Sequence, residues 1–254
     1  DVYKRQAVEG VRWCVDNGLT SVMIPTLWYD QDPYHHVKYD PFWEACQDLG
    51  VIVHFHSGPA PHAEYFGSGF PVEDQRESLP GAMGIYVSEV MWWLYRPLTF
   101  MIWGGVFERF PRLQAMIVEG GTMFMLPPWL RLMDFQYHEG DISAKLGDFK
   151  SHLSMAPSEY YRRNVGIGAS CVKRADLDLR EQIGPAQIMW GSDFPHPEGT
   201  WPHTQDYYRE TFAGLPEEDG RNILGGNAVA FYGLDRERLQ SVADEIGPAP
   251  SIFN

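Results

Sequence analysis

A helix closed by glycine and followed at once by a β-rich run occurs twice within the first 56 residues, and this repeat restricts the fold more than any other feature. An amphipathic stretch from Ala7 to Asn17 ends at Gly18 and gives way to Thr20-Ser21-Val22-Met23-Ile24-Pro25. In the second copy Asp40 and Pro41 stand where an N-cap and a first helical residue belong. Phe42, Cys46 and Leu49 carry the apolar face, and Gly50 closes the helix before Val51-Ile52-Val53-His54-Phe55-His56. The same reading predicts a long or broken helix from Gly84 to Phe110 and strands over 113–119, 164–170 and 187–193. Further helices are expected near 205–212 and over 217–232. Strands alternating with helices of this length mean parallel βα units, in a barrel or a doubly wound sheet. About five strands are predicted, where a closed (β/α)8 TIM barrel has eight.

The chain of 254 residues suits one α/β barrel domain, and 44% hydrophobic with 21% charged residues excludes a disordered or fibrous chain. Repeats, low-complexity tracts and linkers are absent, so a single domain over 1–254 is expected. The formal charge of −14 repels phosphate backbones and anionic lipid surfaces, which argues against nucleic-acid and membrane partners. The apolar run from Val87 to Val106 is interrupted by Glu89, Arg96, Pro97 and Gly104-Gly105, as in a buried helix pair. Three distant cysteines, Cys14, Cys46 and Cys171, form no CxxC spacing; they read as small buried apolar groups in a reducing, cytoplasmic protein. Residues 1–6 read as a charged lead-in, foreign or disordered, and the start as cut rather than natural.

Parallel βα folds collect their chemistry at the C-terminal ends of the strands. Three predicted strands finish in a group able to hold a metal or move a proton: His56 in VIVHFHSG, Glu119 in MIVEGG and Asp193 in MWGSDFPHPEG. Strand alternation puts His54 and His56 on one face, about 7 Å apart, either as a ligand pair or as one ligand and one core histidine. Asp193 ends its strand, Pro195 and Pro197 stop continuation, and His196 and Glu198 follow on a stiffened loop. Such a carboxylate can bind a metal and take a proton from metal-bound water, or simply cap the next helix. Glu119 closes an apolar strand, where desolvation favours proton transfer; it could equally sit against the amides of Gly120 and Gly121. Trp28, Tyr29 and Tyr34, after the first strand, are candidates for a substrate pocket or for lid packing, and His35 and His36 for the surface. The Met/Trp run from Met91 to Trp103 reads as core or interface.

Together GSDFPHPEGTWP, GGVFERFPRL before MIVEGG, YDPFWEACQDLGVIVHFHSG and NILGGNAVAFYGLD resemble the amidohydrolase-related metal-dependent enzymes. This is the TIM-barrel group that includes aminocarboxymuconate-semialdehyde and hydroxybenzoate decarboxylases. The resemblance runs from about Ala7 to Asp235. It implies one divalent metal, zinc or manganese, with His56 as the middle-strand ligand and Asp193 as the last-strand ligand. The family's HxH pair on a first strand has no counterpart here, so the chain reads as the C-terminal two-thirds of the barrel with its first βα units absent. The family's HGG histidine is replaced by Glu119.

On that basis the chain is expected to be a metal-dependent hydrolase acting on a small organic, aromatic or carboxylated substrate through metal-activated water. Glu119 in place of histidine shifts weight from decarboxylation toward hydrolysis or hydration. Asp193 would serve as ligand and general base and Glu119 as proton shuttle, while His196 would orient Asp193 or the substrate. His54, Trp28, Tyr29 and Glu198 would stand around the substrate or support the ligands. The alternatives are a decarboxylase or hydratase of the same family, an inactive fragment without catalysis, and a metal-free acid/base enzyme using Glu119 and Asp193. A homo-oligomer built on the apolar Trp/Met helix is a further expectation.

Overall fold

The computed structural model describes residues 2–26, 32–56, 81–120, 123–140, 145 and 147–254. They form two compact units. The first comprises Asp1–Ile117 and Asp134–Asn164, the second Val118–Met133 and Val165–Asn254. Neither is one contiguous stretch; two of the three divisions fall inside secondary structure and the third where a helix passes directly into a strand, which is why no linker composition marks them.

The first unit begins with helix α1 (Val2–Asp16), so residues 2–6 continue the helix expected from Ala7. Strand β1 (Ser21–Met23) pairs in parallel with β2 (Ile52–His56), Ser21 opposite Ile52 and Met23 opposite His54. The amide of Val53 donates to the carbonyl of Gln114, at the entry to β3 (Ala115–Val118). Between β1 and β2 lies α2 (Asp40–Leu49), which buries Trp43 and Cys46 and stops at Gly50, whose φ of 66° a glycine accepts without a Cβ clash. Asp40 is the first helical residue rather than the expected N-cap; its carboxylate instead receives Arg109, at 2.9 and 3.1 Å.

The predicted helix from Gly84 to Phe110 is α3 (Ala82–Trp103) followed by the short α4 (Val106–Arg109). The break at Gly104-Gly105 has a steric cause: a Cβ on Gly104 would fall 2.0 Å from that of His35 and 2.6 Å from the Phe100 carbonyl. Leu94, Tyr95, Leu98, Met101 and Ile102 give α3 its buried side, whereas Trp92 is exposed. None of the described helices is long and apolar enough to cross a membrane. α5 (Leu126–His138) runs from the second unit into the first, and α6 (Pro157–Asn164) completes the first unit. The side-chain amide of Asn164, 1% exposed, donates to the carbonyls of Pro111 and Leu113 and so fixes the entry to β3.

In the second unit β4 (Val165–Ser170) and β5 (Ile188–Gly191) pair in parallel, Ile167 opposite Ile188 and Ser170 opposite Gly191. The amide of Gly120, just past β3, donates to the Gly168 carbonyl. Helices α7 (Arg174–Leu177), α8 (Arg180–Ile183), α9 (Thr204–Phe212) and α10 (Glu217–Arg221) follow. A π-helical turn (Asn222–Gly226) then leads into α11 (Asn227–Tyr232) and α12 (Arg236–Ile246). Asn227 donates to the carbonyls of Pro185 and Ile188, each at 2.7 Å, pinning the start of β5. All five predicted strands are present, trimmed by one to three residues at their ends.

Candidate functional site

In the first unit β2 alternates as its sequence demands. Val53 and Phe55 are fully buried, while His54 and His56 share the half-buried face. Burial holds the His54 imidazole below its ordinary value. Tyr34 does not line a pocket: it is 5% exposed, its hydroxyl donates to the Pro25 carbonyl at 2.6 Å, and its ring meets Trp43 edge-on. His35 and His36 are exposed, as expected. Trp28 and Tyr29 lie outside the described residues.

The second unit shows what the sequence conceals. Its three strand ends carry non-glycine residues in left-handed backbone: Glu119 (φ 57°) after β3, Cys171 (φ 51°) after β4 and Asp193 (φ 59°) after β5. Among the described residues these are the only such side chains. The conformation costs an L-residue about 1–2 kcal/mol, so three in one place mark backbone held against its preference. Glu119 and Asp193 thus lie just past their strands rather than closing them. The amide of Gly120 is used by the Gly168 carbonyl, which excludes it from pairing with the Glu119 carboxylate.

The loop after β5 is built around Asp193. The amide of His196 donates to the Asp193 carbonyl at 2.7 Å, that of Gly199 to His196 at 2.9 Å and that of Thr200 to Ser192 at 2.9 Å. A Cβ on Gly199 would lie 2.9–3.0 Å from three of these carbonyl oxygens, so only glycine closes the turn. Asp193 Oδ2 faces His196 Nδ1 at 3.4 Å; the carboxylate side chain is 22% exposed and the imidazole 50%. Oδ1 of Asp193 has no partner among the described residues. Glu198 is exposed, with its amide 3.4 Å from His196 Nδ1.

Cys171 departs from the expected buried apolar role, which holds for Cys46 alone. It is half-buried, its Sγ is 3.5 Å from the Glu198 carbonyl, and the Tyr207 hydroxyl donates to its carbonyl oxygen. Burial, then the charges of Asp193, Glu198 and Glu119, push the thiol up, against the opposing Lys173. Its place at the end of the fourth strand is the sequence signal for this position, which the absence of a CxxC partner hides. No sequence signal marks Asp176, 7% exposed. It accepts the amide of Lys173 at 3.1 Å and also that of Met123, tying the segment after Glu119 to the one after Cys171; burial raises its carboxyl.

A divalent metal is implied by the fold family. The donor chemistry fits in kind: a half-buried imidazole ending β2, and a partly buried carboxylate past β5 with one oxygen unengaged. Among the described residues no group of three or more such donors is assembled.

Parallel strands alternating with helices, with ionisable groups just past the strand ends, are the α/β arrangement in which barrel folds place their sites. The amidohydrolase family's sequence profile matches residues 4–234, and the chain belongs to that family. It is 26% identical over 200 residues to 2-amino-3-carboxymuconate-6-semialdehyde decarboxylase of Dictyostelium discoideum, covering 77% of this chain and 48% of that protein. The crystal structure of 5-carboxyvanillate decarboxylase from Sphingomonas paucimobilis aligns with a TM-score of 0.66 and 26% identity, over 90% of this chain and 63% of that one. A 5-carboxyvanillate decarboxylase from Novosphingobium aromaticivorans, solved with bound manganese, aligns with a TM-score of 0.68 and 16% identity, over 90% and 62%. The chain therefore spans about half the length of the curated relative it matches. The weight placed on hydrolysis is not supported: these relatives are decarboxylases.

Proposed function

We propose that the protein is a metal-dependent decarboxylase acting on a small aromatic or unsaturated carboxylate. The observation that carries the metal-dependent part is Asp193, a partly buried carboxylate held past a strand end in strained backbone with one oxygen unengaged. The similarity to decarboxylases supports that choice of reaction.

Asp193 is the proposed metal ligand of the second unit and His56 that of the first. A bound divalent metal, manganese or zinc, would supply Lewis-acid polarisation of a substrate oxygen. His196, whose Nδ1 lies 3.4 Å from Oδ2 of Asp193, would orient that carboxylate when Nδ1 carries a proton. Breaking the C–C bond releases CO2 and leaves an electron pair on carbon, which needs one proton; Glu119 is the proposed donor, recovering its proton from solvent. His54, Glu198, Trp28 and Tyr29 are proposed around the substrate. A small-molecule substrate, a cytoplasmic setting and self-association through α3 belong to the same reading.

The test is CO2 release from 5-carboxyvanillate and 2,6-dihydroxybenzoate by the manganese-loaded chain. Release that stops with chelator and with Asp193→Asn supports the proposal. Chelator-sensitive ester hydrolysis without CO2 would restore the hydrolase reading, and release that chelator leaves untouched would remove the metal.

A further inference from the structure

Arg96 lies on α3 in the first unit and is half-buried. Its guanidinium carbon sits 5.0 Å from the centre of the Trp93 ring and 5.5 Å from that of Phe100. These residues stand three before and four after it, so both rings share its face of the helix, one turn to either side. The His35 ring packs against Phe100 at 5.6 Å. The Nε of Arg96 is buried with no hydrogen-bond partner, and among the described residues the side chain enters no hydrogen bond or ion pair.

Arg109, Arg112, Arg174, Arg180, Arg209 and Arg221 each hold a carboxylate within 3.0 Å. Arg96 has aromatic rings in place of a carboxylate. A buried guanidinium N–H without an acceptor is unfavourable, and the defect is corrected when a ligand brings one. The planar fork of arginine matches a carboxylate with two parallel hydrogen bonds, and rings on either side favour a flat apolar body over a fully hydrated anion such as phosphate.

We propose that Arg96, flanked by Trp93 and Phe100, is the centre of an anion site that takes the carboxylate of a planar aromatic acid. The inference uses only residues of the first unit and does not depend on the metal reading.

Benzoate is the probe, titrated calorimetrically into the full chain with EDTA present, beside its uncharged counterpart benzamide and inorganic phosphate. One benzoate is expected to bind per chain, with benzamide and phosphate at least tenfold weaker. Arg96→Gln is expected to weaken benzoate tenfold or more, Arg96→Lys less, and Asp193→Asn not at all. Equal binding of benzoate and benzamide, tighter binding of phosphate, or an Arg96→Gln variant that binds like the wild type would overturn the proposal. So would loss of binding in Asp193→Asn. Should Arg96→Gln not fold, the wild type decides: benzoate but not benzamide should slow phenylglyoxal modification of Arg96, read by peptide mass spectrometry, and absence of protection contradicts the site.

Discussion

The two units hold their ionisable groups in opposite ways. In the first, the imidazoles of β2 sit in ordinary strand backbone, and the carboxylate of Glu108 is stabilised as an anion by the Tyr160 hydroxyl and by Ser154. Those hydrogen bonds, Tyr160 first, hold Glu108 below its ordinary 4.5. In the second, three strand ends lie in left-handed backbone, and burial drives Asp176 above its ordinary 3.8 despite two backbone donors. The first unit commits Glu108 to hydrogen bonds that hold it as an anion; the second keeps its backbone under stress at Asp193 and at the neighbouring strand ends, the pattern expected where chemistry is done.

The largest expected effect breaks that contrast at its centre. Asp193→Asn should lower metal-dependent turnover by about 10²–10⁴-fold while leaving the melting temperature nearly unchanged, a split that kinetics and calorimetry on one sample would show. A core substitution in the first unit should do the reverse: Trp43→Ala, at a residue 0% exposed, is expected to cost about 3–5 kcal/mol in chemical denaturation.

Cys171→Gly should be stabilising by about 1 kcal/mol, because glycine adopts φ 51° without the Cβ penalty. His56→Gly, in regular strand, should destabilise. A destabilised Cys171→Gly would mean that the cysteine side chain contributes more packing than its backbone costs.

Acid titration sharpens the comparison further. Glu108, with its value lowered, contributes stability that is present above about pH 4.5 and lost as pH falls through its folded value, so Glu108→Gln should flatten the acid limb of the stability curve. Asp176, with its value raised, contributes stability that is full below 3.8 and lost as pH rises through its folded value. Asp176→Asn should therefore remove a loss over that window, opposite in sign. The smallest effect is expected for Arg112→Ala: its ion pair with Asp48 is 2.9 Å long but exposed, and it should contribute below about 0.5 kcal/mol.

Much of this fold is legible in the sequence because period and punctuation agree. Gly50 stops α2, Gly104-Gly105 breaks α3, and all five strands stand where alternation and β-branched runs place them. What escapes is set by contacts distant in sequence. Asp40 looks like an N-cap until Arg109, 69 residues away, takes its carboxylate. Tyr34 looks like a pocket residue until its hydroxyl and ring are satisfied in the core. The left-handed backbone at Glu119, Cys171 and Asp193 is unreadable because no glycine announces it. Each unit is built from separate stretches of sequence, so no linker reveals them. The expectation of hydrolysis rests on reading Glu119 at the family's histidine position, and the relatives named above are decarboxylases.

A divalent ion held with the help of Asp193 is the central proposal. Electron paramagnetic resonance of the chain loaded with manganese tests it most directly. One tightly bound Mn(II) per chain is expected, with at least a tenfold loss of affinity in Asp193→Asn. Spectra of free aqueous Mn(II), or stoichiometric binding that Asp193→Asn leaves unaltered, would contradict the account.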